Sequence, residues 1–168
     1  MTETLFNNKY RDKTVLITGH TGFKGSWLSI WLYSLGAKVV GLSDKVPTKP
    51  SCFECTEISD KIIDERTDIT NFKNVIQIFY KYKPDYIFHL AAQALVRPSY
   101  ESPLETFRIN AIGTATLLEV LRNYNEPIIA VIITSDKVYK NKEWVWGYKE
   151  TDSFGGKDPY SASKGMAE

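Results

Sequence analysis

Histidine and cysteine are scarce in this chain of 168 residues, with two of each. Cys52 and Cys55 stand together in "SCFECTE". A C-x-x-C pair can be a redox couple or half of a zinc site. The only histidines are His20 and His89, so no second ligand pair completes such a site and no metal is expected. The stretch follows a proline-rich loop and is not expected to open a helix, so the thiols read as reduced and incidental. No apolar run approaches the roughly 20 residues that cross a bilayer, so no membrane association is expected. Positive and negative side chains number 21 and 20, a net charge of +1, and no basic block is present. That leaves no electrostatic footprint for a nucleic acid. The opening "MTETLFNNKYRDK" is polar and lacks the apolar region of a signal peptide, which makes the cytoplasm the expected location. Repeats and low-complexity segments are also missing. What remains is the balance of a soluble globular protein, 43% hydrophobic and 24% charged, at a length that suits one domain.

Short β-branched runs alternate with longer helical patterns. "TVLIT" (14–18) reads as a strand and "GFKGSWLSIWLYSLG" as a helix, with Phe23, Trp27, Ile30, Trp31 and Leu35 at three- and four-residue spacing. Gly36 stands where helices commonly stop. "KVVGLS" (38–43) is a second strand, and "VPTKPS" a loop closed by two prolines. "KIIDERTDI" holds a short third strand. "NFKNVIQIFYKY" (71–82) is amphipathic, with Phe72, Val75, Ile76 and Phe79 on one face. "DYIFHLAA" (85–92) is the fourth strand. Residues 102–124 form a long helix, with Ser102 and Glu105 as a capping box and Pro103 in its first position. "PIIAVIITS" is a fifth, buried strand. This alternation predicts an α/β fold, a doubly wound parallel sheet of the Rossmann type with helices on both faces. "DPYSASKGMAE" reads as the first turns of one more helix, so the chain is expected to be a fragment (1–168) lacking a C-terminal substrate region.

"VLITGHTGFKGSW" sets Gly19, Gly22 and Gly25 between the first strand and the first helix, with Phe23 and Lys24 inside the same loop. A glycine triplet carries weight only in that context, and here the context is right for a dinucleotide site. Gly19 permits the turn, Gly22 lets backbone approach a pyrophosphate, and Gly25 lets the helix pack closely on the sheet. The helix N-terminus then offers free N–H groups and a partial positive charge. About twenty residues on, an acidic side chain is expected at the adenosine ribose. Ser43 and Asp44 stand there, with no arginine beside them, which predicts NAD rather than NADP. His89, inside an apolar strand, reads as a satisfied core histidine.

"YSASK" gives Tyr160 and Lys164, which share one face of a helix. A lysine cation one turn from a phenol favours the phenolate, a base for a sugar hydroxyl. Active sites of open α/β sheets lie beyond the carboxyl ends of the strands. At that end of the fifth strand stand Thr134, Ser135, Asp136 and Lys137.

The G-x-x-G-x-x-G spacing resembles the extended branch of the short-chain dehydrogenase/reductase superfamily. "TDI" (67–69) then resembles its Asp-hydrophobic pair at the adenine, which implies Asp68 and Ile69. "HLAA" (89–92) resembles the small residues that pass close to the cofactor, which implies Leu90, Ala91 and Ala92. Nucleotide-sugar 4,6-dehydratases carry a hydroxyl residue, an Asp and then a Glu after the fifth strand. This chain departs from that pattern with Lys137. "GHTGFKGSW", "TSDKVYKN", "KEWVWGY" and "DPYSASKG" together resemble the CDP-glucose 4,6-dehydratases, over the N-terminal half of such an enzyme.

That resemblance implies oxidation of CDP-glucose at C4 with NAD, loss of water across C5 and C6, and reduction at C6. The product would be a 4-keto-6-deoxy sugar nucleotide. Tyr160 would take the O4 proton, Ser135 would bind near O4, and Lys164 would hold the nicotinamide ribose. Asp136 would protonate the leaving O6, and Lys137 would act as the C5 base or stabilise the enolate. The resemblance also implies a homodimer of the full-length enzyme, formed by the long helix and the Tyr/Lys helix. Two other readings stand beside it: an NAD-dependent nucleotide-sugar epimerase or reductase, and a non-catalytic NAD-sensing module.

Overall fold

The computed structural model describes residues 5–168; the first four residues of the polar opening lie outside the described residues. Five strands form one parallel sheet: β1 (Thr14–Thr18), β2 (Lys38–Ser43), β3 (Ile63–Arg66), β4 (Tyr86–His89) and β5 (Ile129–Ile132). Their order is β3-β2-β1-β4-β5, so the chain doubles back at β1 and opens a crevice between the carboxyl ends of β1 and β4. The helices are α1 (Phe23–Ser34), α2 (Cys52–Cys55), α3 (Phe72–Tyr82), α4 (Val96–Glu101), α5 (Pro103–Phe107), α6 (Gly113–Asn123) and α7 (Pro159–Ala167). A π-helical turn, Arg108–Ile112, joins α5 to α6. The expected doubly wound α/β sheet is present. Among the described residues no helix is long and apolar enough to cross a membrane.

Two cores flank the sheet. Leu16, Val40, Leu42 and Ile87 pack with Val75, Ile78 and Phe79 of α3 and Leu117 and Val120 of α6. Val15, Ile17 and Val39 face the other way, against Leu32 and Ala37. The alternation along β1 and β2 is the period-2 pattern of a sheet covered on both sides.

Five local expectations are corrected. Helix α1 forms, but its aromatic stripe is not its buried face: Phe23, Trp27 and Trp31 are 71%, 54% and 49% exposed. Gly25, Ser26, Ser29 and Leu32 face inward instead. A Cβ on Gly25 would lie 2.1 Å from the Gly19 carbonyl oxygen, an approach that admits no side chain at this position. On α3, Ile78 is buried where Phe72 was expected. The capping box does not form: Ser102 makes no side-chain cap bond, and Glu105 turns to Arg108, with Arg108 Nε donating to Oε2 at 2.7 Å. Cys52 and Cys55 do lie on a helix, the single turn α2, because the Ser51 hydroxyl accepts from Glu54 N at 3.1 Å and starts it. Cys52 is partly buried and Cys55 exposed, both unbridged. Strand β5 is half-covered rather than buried. Among the described strands it stands at the sheet edge, where Ile129 and Val131 are 57% and 39% exposed while Ile132 packs on the core.

Candidate active site

The sheet delivers each motif to one edge. Gly19 has φ +74°, and a Cβ there would sit 2.7 Å from Ala91 N, so the loop after β1 passes directly over the end of β4. Gly22 is the N-cap of α1 and no side chain caps the turn, which leaves the N–H groups of Phe23, Lys24 and Gly25 as donors. Gly25 closes the cradle against Gly19 and His20. Ser43, at the carboxyl end of β2, is 6% exposed, and its Oγ has no hydrogen-bond partner among the described residues. An orphaned buried hydroxyl beside an uncapped glycine cradle fits the ribose and pyrophosphate of a dinucleotide. Asp44 is exposed and accepts from Lys45 N at 2.8 Å.

Asp68 Oδ1 accepts from Thr70 N and Oγ1, both at 2.8 Å, and Oδ2 accepts from Arg108 Nη1 at 2.7 Å. Burial opposes its ionisation, but these bonds outweigh burial and hold the carboxyl below its usual range. An ionised carboxylate has about four acceptor sites, so one remains for an incoming amino group. The Ile69 side chain lies in the core, against Gly113. Leu90, Ala91 and Ala92 are half-buried at the end of β4.

His89 is satisfied within the core, as expected. Its ring nitrogens meet Thr18 Oγ1 at 2.7 Å and Thr114 Oγ1 at 3.0 Å. Thr18 Oγ1 accepts from Ala91 N and Thr114 Oγ1 donates to Asn110 O, which together assign the Nε2–H tautomer. Burial, with the Lys164 charge adding to it, lowers the His89 pKa from 6.5 to about 4. Between these values the unfolded chain binds more protons, so this stability is complete above about pH 6.5 and is lost as pH falls toward 4. The loss is expected to reach about 3 kcal/mol. Urea unfolding of the native protein and of His89→Gln between pH 4.5 and 8 checks this. The native midpoint should fall more steeply with acid, and parallel profiles would refute the assignment.

The end of β5 and helix α7 meet. Lys164 is 6% exposed and its Nζ donates to Ile133 O at 2.9 Å; burial pushes its pKa down. Tyr160 lies one turn earlier, half-buried. Thr134 and Ser135 are half-buried, and Asp136 and Lys137 are exposed on a 3-10 turn, Asp136–Val138. Ser135 Oγ caps that turn, accepting from Lys137 N at 3.2 Å, and donates to Asp136 Oδ1 at 3.2 Å. The Lys137 charge reaches Asp158, the N-cap of α7. Residues 134–137, Tyr160 and Lys164 therefore converge at the carboxyl edge of the sheet. The loop between them is an aromatic hairpin: Tyr139 stacks on Tyr148 at 5.3 Å and 5°, and Tyr139 bridges Phe154. The described grooves lined by Asp85 and Pro127 sit at the opposite, amino edge and hold none of these residues.

Asn110 escaped the sequence reading. It is fully buried in the π-helical turn, where its side chain accepts from Gln93 N at 2.8 Å and donates to Gln93 O at 3.0 Å and Ser163 Oγ at 2.9 Å. Ser163 Oγ in turn donates to Tyr160 O at 2.7 Å. Asn110 thus ties the β4 loop to the Tyr/Lys helix. An amide set between Ile109 and Ala111 in the helical pattern was the one available signal.

The chain is similar to known proteins in sequence and in fold. The family model described as GDP-mannose 4,6 dehydratase matches residues 16–168. A CDP-glucose 4,6-dehydratase of Salmonella typhimurium is 49% identical over 161 residues, covering 96% of this chain and 45% of the relative. A UDP-glucose 4-epimerase of Thermotoga maritima, solved with UDP-glucose, superposes with a TM-score of 0.79 at 25% identity, over 92% of this chain and 48% of that one. A Thermus thermophilus UDP-glucose 4-epimerase in complex with NAD gives 0.76 at 29% identity, with coverage of 92% and 48%. The chain spans about half the length of the relatives it matches.

Proposed function

The chain belongs to the GDP-mannose 4,6-dehydratase family, and from that premise we propose that it carries the cofactor and proton-transfer half of an NAD-dependent CDP-glucose 4,6-dehydratase. The observation that carries the reading is the meeting of Ser135, Asp136 and Lys137 with the Tyr160/Lys164 helix at the edge that also bears the glycine cradle. The 49% identity to a CDP-glucose 4,6-dehydratase supports the choice of nucleotide.

The cradle of Gly19, Gly22 and Gly25 with the N–H groups of Phe23 and Lys24 holds the pyrophosphate. Ser43 and Asp44 take the adenosine ribose, Asp68 and Ile69 the adenine, and Leu90, Ala91, Ala92 and Thr134 line the path between. NAD, when bound, supplies a hydride acceptor for sugar C4 and a donor for C6. Tyr160 removes the O4 proton as C4 is oxidised. Lys164, drawn into the site by the Ile133 carbonyl, holds the nicotinamide ribose and favours the phenolate. The new ketone acidifies C5–H. Lys137 takes the C5 proton, or as a cation stabilises the enolate while another group takes it, and Asp136 protonates the departing O6, so that one water leaves across C5 and C6.

In the whole protein we place the work in the cytoplasm and expect a homodimer, with the residues that bind the nucleotide and sugar supplied largely outside 1–168. Exposed Leu104, Ile112, Leu118 and Met166 on α5 to α7 offer the apolar surface for pairing. The test is turnover by the full-length protein with NAD and CDP-glucose, read as the alkaline ultraviolet absorbance of a 4-keto-6-deoxy product. A 4-epimer without that absorbance would favour an epimerase, and no turnover would favour a non-catalytic NAD sensor.

A further inference from the structure

His20 lies inside the glycine loop yet is fully buried, because its ring reaches sideways over the sheet. It crosses Gly41 of β2, where an added Cβ would lie 2.3 Å from ring atoms, so β2 has no side chain there to block it. Gly41 is paired in register with Asp64 of β3, and His20 Nε2 meets Asp64 Oδ1 at 2.9 Å. The other Asp64 oxygen accepts from Arg66 Nη2 at 2.8 Å. Phe53 closes the cluster, with its ring 5.2 Å from the imidazole at 85° and the Arg66 guanidinium 5.2 Å above it.

The backbone of the same residue is the floor of the cradle. Ser26 Oγ donates to His20 O at 3.1 Å, and a Cβ on Gly25 would lie 2.7 Å from His20 Cα. The first turn of α1 therefore rests on a residue whose side chain is bolted to β3. Glycines at 19 and 22 flank it, and glycine gives a loop more conformations to lose on binding than any other residue. A loop that must be ordered by its ligand binds more weakly than one ordered beforehand.

We propose that His20 is a positioning residue, which with Asp64 holds the glycine loop in the form that receives a dinucleotide pyrophosphate. This rests on the cofactor reading above. The Asp64 bond supplies the restraint, and Phe53 and Gly41 supply the slot.

The test uses the full-length protein with His20→Phe, which keeps a ring in the slot without the N–H, and His20→Gln, which restores a donor toward Asp64. Loss of a hydrogen bond to a charged partner corresponds to about a 10- to 100-fold rise in the KM and dissociation constant for NAD in His20→Phe. The larger part of the effect is expected in KM rather than kcat, with partial recovery in His20→Gln. Unchanged NAD affinity in His20→Phe, or a fall confined to kcat and melting temperature, would overturn the inference alone. Native protein that binds no NAD would overturn the cofactor reading and this inference together.

Discussion

Replacing Tyr160 by Phe is expected to slow C4 oxidation of the sugar by roughly 10²- to 10⁴-fold, the usual contribution of one positioned proton-transfer group. The substitution removes a single oxygen from a half-buried ring on α7. The elements that hold the helix are elsewhere. Asp158 caps it through Ser161 N at 2.9 Å, and Ser163 and Lys164 anchor it to Asn110 and Ile133. Fold and NAD affinity should therefore survive. Burial makes the charged form of Lys164 costly, and the Ile133 carbonyl offsets part of that cost. Single-turnover absorbance of the reduced nicotinamide at saturating substrate isolates the step. An undiminished rate in Tyr160→Phe would reject the assignment.

The parts of this molecule that were legible in sequence depend on neighbours in the chain. The strand–helix alternation, the glycine loop and the Tyr/Lys pair are local patterns, and each lies where its pattern put it. What failed depends on contacts across the fold. The aromatic stripe of α1 has helical spacing, yet the close approach at Gly25 turns the face of Gly25, Ser26, Ser29 and Leu32 inward. The apolar run of β5 reads as core, yet sheet order makes it the edge among the described strands. His20, Arg108 and Asn110 find their partners 44, 40 and 53 positions away, at Asp64, Asp68 and Ser163. No periodicity encodes such pairs. The capping box failed for a related reason. Glu105 had a choice between a backbone N–H and a guanidinium one turn on, and the charge-assisted fork with Arg108 won.

Asp136 and Lys137 carry the other large expected effect, and they should act after Tyr160. Asp136→Asn keeps the shape of the 3-10 turn but removes the proton for the leaving oxygen. Dehydration should fall by about 10²- to 10⁴-fold while C4 oxidation continues, so that reduced nicotinamide accumulates in a single turnover. Lys137 separates two chemistries. As a cation beside the enolate it would tolerate Lys137→Arg and fail as Lys137→Ala. As the proton acceptor at C5 it would fail in both, since a guanidinium does not give up its proton. The Lys137 side chain is exposed on the 3-10 turn, and the cation role is the one we propose. Lys137→Arg is therefore expected to retain a measurable share of dehydration and Lys137→Ala to lose it, with NAD binding intact in each. Exchange of the C5 hydrogen with solvent deuterium gives the reading. Exchange lost equally in both variants would make Lys137 the base, and wild-type dehydration in Lys137→Ala would remove it from the mechanism.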